Sequence, residues 1–238
     1  MLQVFAITYN EEVMLEFTYN FYKSRFPDLK FTIYDNMSDD KTVEIANRLG
    51  IEVISYATGG KLSDNKYLEI KNNCWKNSTC DWVCVIDCDE CVSITQQELI
   101  EEEKLGTTII TTKGFNMISL EDREAKIDLN SIKHGSYAKQ YSKSAMFNKN
   151  AIKNINYTHG CHTAYPQGII RQSEKVYPLY HYKAIGEDYL VNRHLMFAKR
   201  MSAENLSNGH GIHYLNSEED MRRDYRNAQK HEIIKLIE

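Results

Sequence analysis

"VCVIDCDECV" (residues 83–92) runs from an apolar strand into a knot of acids and thiols. Side chains of a strand alternate faces with a period of two. Val83, Val85, Asp87 and Asp89 therefore share one face, and Cys84, Ile86 and Cys88 the other. The alternation delivers two carboxylates together where the strand ends and turns the cysteines into the core. A hard divalent cation, Mn2+ or Mg2+, takes oxygen ligands, often one or two carboxylates completed by substrate phosphates. Asp87 and Asp89 suit that role. Zinc needs four converging ligands, usually as two close pairs. Only Cys88 and Cys91 have C-x-x-C spacing, so the thiols read as packing.

Upstream, apolar runs at 3–8, 31–35, 51–56 and 81–87 read as strands, separated by helical patterns at 11–26, 40–50 and 64–77. The first helix carries Val13, Leu15, Phe17, Phe21 and Tyr22 on its apolar side, and Gly50 closes the second. This β-α-β-α-β-α-β order implies a largely parallel sheet covered by helices, with ligands beyond the carboxyl ends of its strands. "TYN" (8–10), "YDNMSDD" (34–40) and "DCDE" (87–90) all fall at such ends, and three polar clusters on one rim predict a site.

Downstream the pattern loosens: a helix at 95–106, short strands near 107–119 and 137–147, then the loop "NYTHGCHTAYPQG" (156–168). "YPLYHYK" (177–183) leads into a helix near 187–205, the stretch "NGHGIHY" (208–214), and a charged terminal helix at 217–237. A single α/β domain is expected, with a nucleotide-binding half (1–92), an acceptor half (93–214) and a C-terminal helix (215–238).

The 238 residues, 42% hydrophobic and 26% charged, suit one soluble domain. A net charge of −4 advertises no general polyanion-binding surface. Six clustered cysteines, several in apolar contexts, favour reduced thiols and a cytoplasmic location. No apolar stretch is long enough for a membrane span, and "MLQVFAITYNEE" lacks a basic leader and a cleavage site. Peripheral membrane contact stays open.

"TYNEE", "YDNMSDDKT" and "DWVCVIDCDE" resemble, in order and spacing, the N-terminal motifs of family 2-type glycosyltransferases with the GT-A fold. That family's middle motif reads D-D-G-S-x-D-x-T. Asp35, Asn36, Ser38, Asp40 and Thr42 match it, while Met37 replaces the glycine. Lys71–Asn72 falls where the family often has Arg-Asn, and "HGCH" and "HYK" look like a subgroup whose D-x-D is followed by Glu, as at Glu90.

The resemblance implies a GT-A-like, mostly parallel sheet flanked by helices, with a mixed, loop-rich second half and C-terminal helices. It implies transfer of a sugar from a nucleotide-sugar, a UDP-sugar first, to a hydroxyl of a glycan, glycolipid or protein, with Mn2+ or Mg2+ bridging the diphosphate. Asp89 would hold the metal, Asp87 the ribose or the metal, and His181 would be the third ligand. Asp35 would meet the base, with Thr8, Tyr9 and Asn10 lining its pocket; Lys71 and Asp64 are further donor contacts, Asp64 reading equally as a helix N-cap. Inversion needs a base at the acceptor hydroxyl, and Asp122 and His162 are the candidates. His159 shares the loop of His162, and His210 and His213 form either a lid or a connection.

Three rival functions follow. A sugar nucleotidyltransferase wants a glycine-rich loop after the first strand, which "TYNEE" lacks. A binding protein without turnover would keep the same sites. A transferase acting on a nucleic-acid base is disfavoured by the acidic balance.

Overall fold

Leu2–Thr8, buried at every position, forms the strand β1 around which the sheet is laid. The structure, a computed structural model, describes residues 1–120, 127–230 and 232–237. After β1 come α1 (Leu15–Arg25), β2 (Lys30–Asp35), α2 (Thr42–Leu49), β3 (Glu52–Ser55), α3 (Asp64–Asn73) and β4 (Trp82–Asp87). The second half adds β5 (Glu90–Val92), α4 (Gln96–Lys104), β6 (Ile109–Ile118), β7 (His134–Tyr137), β8 (Met146–Asn148), β9 (Ile152–Asn154), β10 (Gln167–Gly168) and β11 (Gln172–Ala184). It closes with α5 (Glu187–Arg200), α6 (Ala203–Asn208), α7 (Glu218–Ala228) and β12 (Ile234–Lys235).

The main sheet runs β12-β7-β6-β8-β4-β1-β2-β3, with β11 paired to β6 and β5. Its first half is parallel throughout: β1 pairs β2 and β4, and β2 pairs β3. Thr8, Asp35 and Asp87 therefore end their strands on one rim, as the sequence implies. The alternation along β4 also holds. Cys84, Ile86 and Cys88 join the core beneath α1 with Phe21 and Tyr22. Val83 and Val85 join a second cluster with Trp75 and Phe147, whose rings meet edge-on at 5.0 Å. Burying such a side chain contributes about 1.5–3 kcal/mol.

Several expected boundaries move. The first helix begins at Leu15 rather than at residue 11, because the Glu11 carbonyl closes a turn onto the N–H groups of Met14 and Leu15; Val13 is left exposed on that turn. The helix expected over 187–205 breaks at Met201, where the chain bridges to Leu62 and Ser202 caps α6. The strand expected over 137–147 is two strands joined by the turn at Lys139–Tyr141, which packs so closely on Gly114 that a Cβ there would lie 2.4 Å from the Tyr141 carbonyl carbon. The terminal helix stops at Ala228, and the apolar residues beyond it form β12 against the edge strand β7.

The placement of β11 matters most for function. It runs antiparallel to β5 and parallel to β6, so His181 lies opposite Glu90 on one side and Asn116 on the other. No helix among the described residues is long and apolar enough to cross a membrane.

Candidate active site

The turn between β4 and β5 carries Asp87, Cys88, Asp89 and Glu90, and α1 clamps it from beneath. Thr18 donates its hydroxyl to the Cys88 carbonyl at 2.5 Å. The Tyr22 hydroxyl donates to the Glu90 carbonyl at 3.3 Å and accepts the Val92 N–H at 2.9 Å. The Asp87 N–H donates to Glu90 Oε2 at 2.9 Å, fixing the turn from within. Cys84, Cys88 and Cys91 are buried, and burial pushes the Cys84 thiol up to about 12, so it packs as a neutral thiol.

Two buried lysines sit under the turn. Lys71 Nζ lies 2.6 Å from Asp87 Oδ1, and Lys143 Nζ lies 2.6 Å from Glu90 Oε1 and 3.6 Å from Asp87 Oδ2. Burial opposes ionisation of Asp87, but Lys71 and then Lys143 hold its carboxyl well below the usual range. Burial equally opposes the two ammonium charges, and the carboxylates around them hold both lysines protonated. Asp87 keeps an exposed edge toward the cavity, anchored from behind by two cations.

Asp89 belongs to a separate network. His181 Nδ1 pairs with the Asn116 amide oxygen at 2.9 Å. That oxygen only accepts, so Nδ1 carries the proton and the Nε2 lone pair faces Asp89 Oδ2 at 3.7 Å. Burial pushes His181 down to about 3, leaving a neutral imidazole, and Tyr141 stacks on the ring at 3.8 Å. Arg193 of α5 forks onto Glu11 at 2.6 and 2.9 Å and comes within 3.6 Å of Asp89. Burial pushes the Glu11 carboxyl up while Arg193 pulls it down; short bonds to both carboxylate oxygens describe the ionised pair.

Among the described residues no three His, Cys, Asp or Glu side chains converge as a metal cage. Asp89 and His181 nonetheless offer a carboxylate oxygen and a proton-free imidazole nitrogen at 3.7 Å, with the histidine oriented through its other nitrogen as metal-bound histidines are. That donor set fits a cation completed by substrate oxygens and water. Asp87, expected in the same shell, is engaged by Lys71 and Lys143 instead.

These groups open on a cavity of about 390 Å³, also lined by Thr8, Tyr9, Asp64, Lys71 and His162. Burial and then Lys143 lower the pKa of His162, favouring its neutral form. Asp64 is not the N-cap of α3: Ser63 is, and Asp64 pairs with Asn205. Asn10 and Asp35 are not part of the lining. Asn10 clasps Asp39 and Ser38 across the two loops, and the Asp35 carboxylate accepts from Thr8 Oγ1, Ser38 N and Ser38 Oγ. Both residues shape the rim from behind. Met37, where the resembled motif has glycine, keeps the left-handed conformation at φ 58° that glycine adopts freely. Asp122 lies outside the described residues.

Lys143, Arg193, Lys183, His194 and Arg200 were not singled out from the sequence. The Arg200 guanidinium lies 3.2 Å from the centre of the Tyr9 ring. Its Nη atoms are buried with no hydrogen-bond partner among the described residues. The nearest sequence signal was the acid–base balance itself: the buried acids of "TYNEE" and "DCDE" require cations from elsewhere in the chain.

A parallel α/β half with its acids and an imidazole gathered at the strand ends has the architecture of the GT-A fold. The family model described as "Glycosyl transferase family 2" matches residues 3–172, and the chain belongs to that family. Among solved structures, Staphylococcus aureus TarS is 12% identical with a TM-score of 0.49; the match covers 83% of this chain and 39% of TarS. Glucosyl-3-phosphoglycerate synthase from Mycobacterium tuberculosis, solved with Mn2+ and UDP, is 18% identical with a TM-score of 0.33, covering 48% of this chain and 44% of that one. The mannosyltransferase PcManGT from Pyrobaculum calidifontis, with GDP-Man and Mn2+, is 14% identical with a TM-score of 0.34, covering 47% and 34%. No curated protein matches the chain in sequence.

Proposed function

We propose that the chain transfers a sugar from a nucleoside-diphosphate sugar, a UDP-sugar, to an acceptor hydroxyl, with a divalent cation held by Asp89 and His181. One observation carries the reading: the Asp89 carboxylate and the proton-free Nε2 of His181 face each other at 3.7 Å on the carboxyl rim of the sheet. The cation would neutralise the charge that builds on the departing diphosphate. Residues 1–92 serve as the donor half and 93–214 complete the site and receive the acceptor.

Each remaining residue has a task. Tyr9 and Thr8, which line the cavity, receive the base. Asp87, anchored by Lys71 and Lys143, turns its exposed edge to the ribose hydroxyls. Arg193 keeps the two carboxylates Glu11 and Asp89 from repelling one another. His162, favoured neutral at the cavity wall, takes the proton of the attacking hydroxyl in an inverting displacement.

A panel of nucleotide-sugars with Mn2+, scored by thermal shift and by slow donor hydrolysis, tests this. UDP-sugars are expected to stabilise the protein in a metal-dependent manner. Full turnover in excess EDTA, or no shift with any donor, sinks the reading.

A further inference from the structure

A second cavity of about 270 Å³ adjoins the first and shares Tyr141, Lys183, His194 and His213 with it. Its far wall is apolar, built by Leu190, Met221 and Tyr225, and Asp224 is the one carboxylate among its described lining residues. The shared wall is made almost entirely of nitrogen groups. Lys183 lies 5.9 Å over the Tyr214 ring and forms no hydrogen bond or ion pair with a described residue. His194 is 8% exposed, and neither ring nitrogen has a hydrogen-bond partner among the described residues. Burial, and after it the charge of Lys183, holds both His194 and His213 in the neutral form.

Buried donors without acceptors cost stability unless a ligand supplies what is missing. An ammonium only donates, and a neutral imidazole has one N–H to give. The missing partner is therefore an acceptor-rich group, and beside an unpaired ammonium it is an anion. Asp89, the carboxylate felt most strongly by Lys183, is engaged by Arg193 and His181.

We propose that Lys183, His194 and His213 form an anion-binding subsite for the acceptor. They hold a phosphate or carboxylate of the molecule whose hydroxyl receives the sugar, and its less polar remainder lies against Leu190 and Met221 in the second cavity. This rests on the donor occupying the first cavity. The acceptor class is thus a hydroxylated compound with an anionic group, not a neutral sugar.

Titration calorimetry with inorganic phosphate and, separately, acetate on the protein saturated with UDP and Mn2+ tests the subsite. At least one anion is expected to bind, and the tighter of the two identifies the anionic group. Lys183→Gln should weaken that binding at least ~10-fold, the scale of a hydrogen bond to a charged group. Lys183→Arg should retain it within about 3-fold. His213→Asp, on the exposed side of the wall, should abolish it even if Lys183→Gln does not fold. Absence of binding by both anions, displacement of phosphate by UDP, or equal binding by wild type and Lys183→Gln overturns the proposal. A parallel titration of UDP with Mn2+ separates the two readings: a protein that ignores UDP but binds phosphate through Lys183 refutes the donor assignment and keeps the anion site.

Discussion

The halves of the molecule bring opposite charges to the cavity and to the β4–β5 turn beneath it. Residues 1–92 supply Glu11, Asp87, Asp89 and Glu90, all at strand ends or the loops beside them. The rest of the chain supplies Lys143, His181, Lys183 and Arg193. Lys71 alone crosses the pattern, serving Asp87 from within the acidic half. The difference teaches why neither half makes the site by itself. Four acids on one rim repel each other and lose hydration, and the second half provides both the charges that balance them and the imidazole that faces Asp89.

The largest expected effect comes from breaking the bridge between the halves. Arg193→Met strands Glu11 in a buried position and should destabilise the protein by about 3–5 kcal/mol in urea unfolding. Adding Glu11→Gln to it should restore much of that loss. A neutral Arg193→Met would mean that the halves are not electrostatically coupled.

Next is Asp89→Asn, which keeps the shape and removes the charge. Turnover should fall at least ~100-fold, the scale of one lost transition-state stabiliser, with a higher Mn2+ requirement in donor binding. An unchanged metal midpoint would detach Asp89 from the cation.

Tyr22→Phe probes the acidic half alone. It leaves the Val92 N–H without its acceptor and should cost about 1–3 kcal/mol of stability. The metal requirement of the folded variant should stay as in the wild type, since Asp89 and His181 are untouched.

The last test belongs to the second half, and its effect is spread over several pH units. His194 titrates near 3 in the folded chain against an ordinary 6.5, with burial as the main cause and Lys183 next. The unfolded chain therefore takes up a proton through pH 6.5 that the folded chain refuses. Stability is complete above that value and drains away as pH falls toward 3, by up to about 1.4 kcal/mol per pH unit. His194→Gln should flatten this acid slope in melting curves recorded between pH 7 and 4.5. An identical slope would show that His194 is not held neutral.

The parallel half was legible because its signals are local. Apolar runs of strand length, helical periodicity and polar residues at strand ends all sit within a few positions of one another, and β1 to β4 form where that pattern places them. Thr8, Tyr9, Asp87 and Asp89 stand out by the same strand-end logic, Lys71 and His181 through the resemblance, and all six line one cavity. Asp35 and Asn10, expected at the base pocket, are not among the cavity's lining residues, and their hydrogen bonds make them the scaffold of the loops. The second half failed where its structure depends on distant partners. The break before α6 answers to Leu62, and β12 forms only because β7 offers an open edge. Lys143 and Arg193 look like ordinary solvated charges until their acids are in place. The family match itself ends at residue 172, where β11 begins.

β11 also sets an order of events. It is threaded between β5 and β6, and its His181 meets an Asn116 that is 65 positions away in the chain. Contacts this remote close late, because the loop entropy is lost before the pairing rewards it. On the proposed function, an intermediate with only the parallel half assembled would hold the proposed base pocket and still lack the proposed cation site. Uptake of Mn2+ during refolding would then report the moment at which β11 docks, a clock for the last step of assembly built into the site itself.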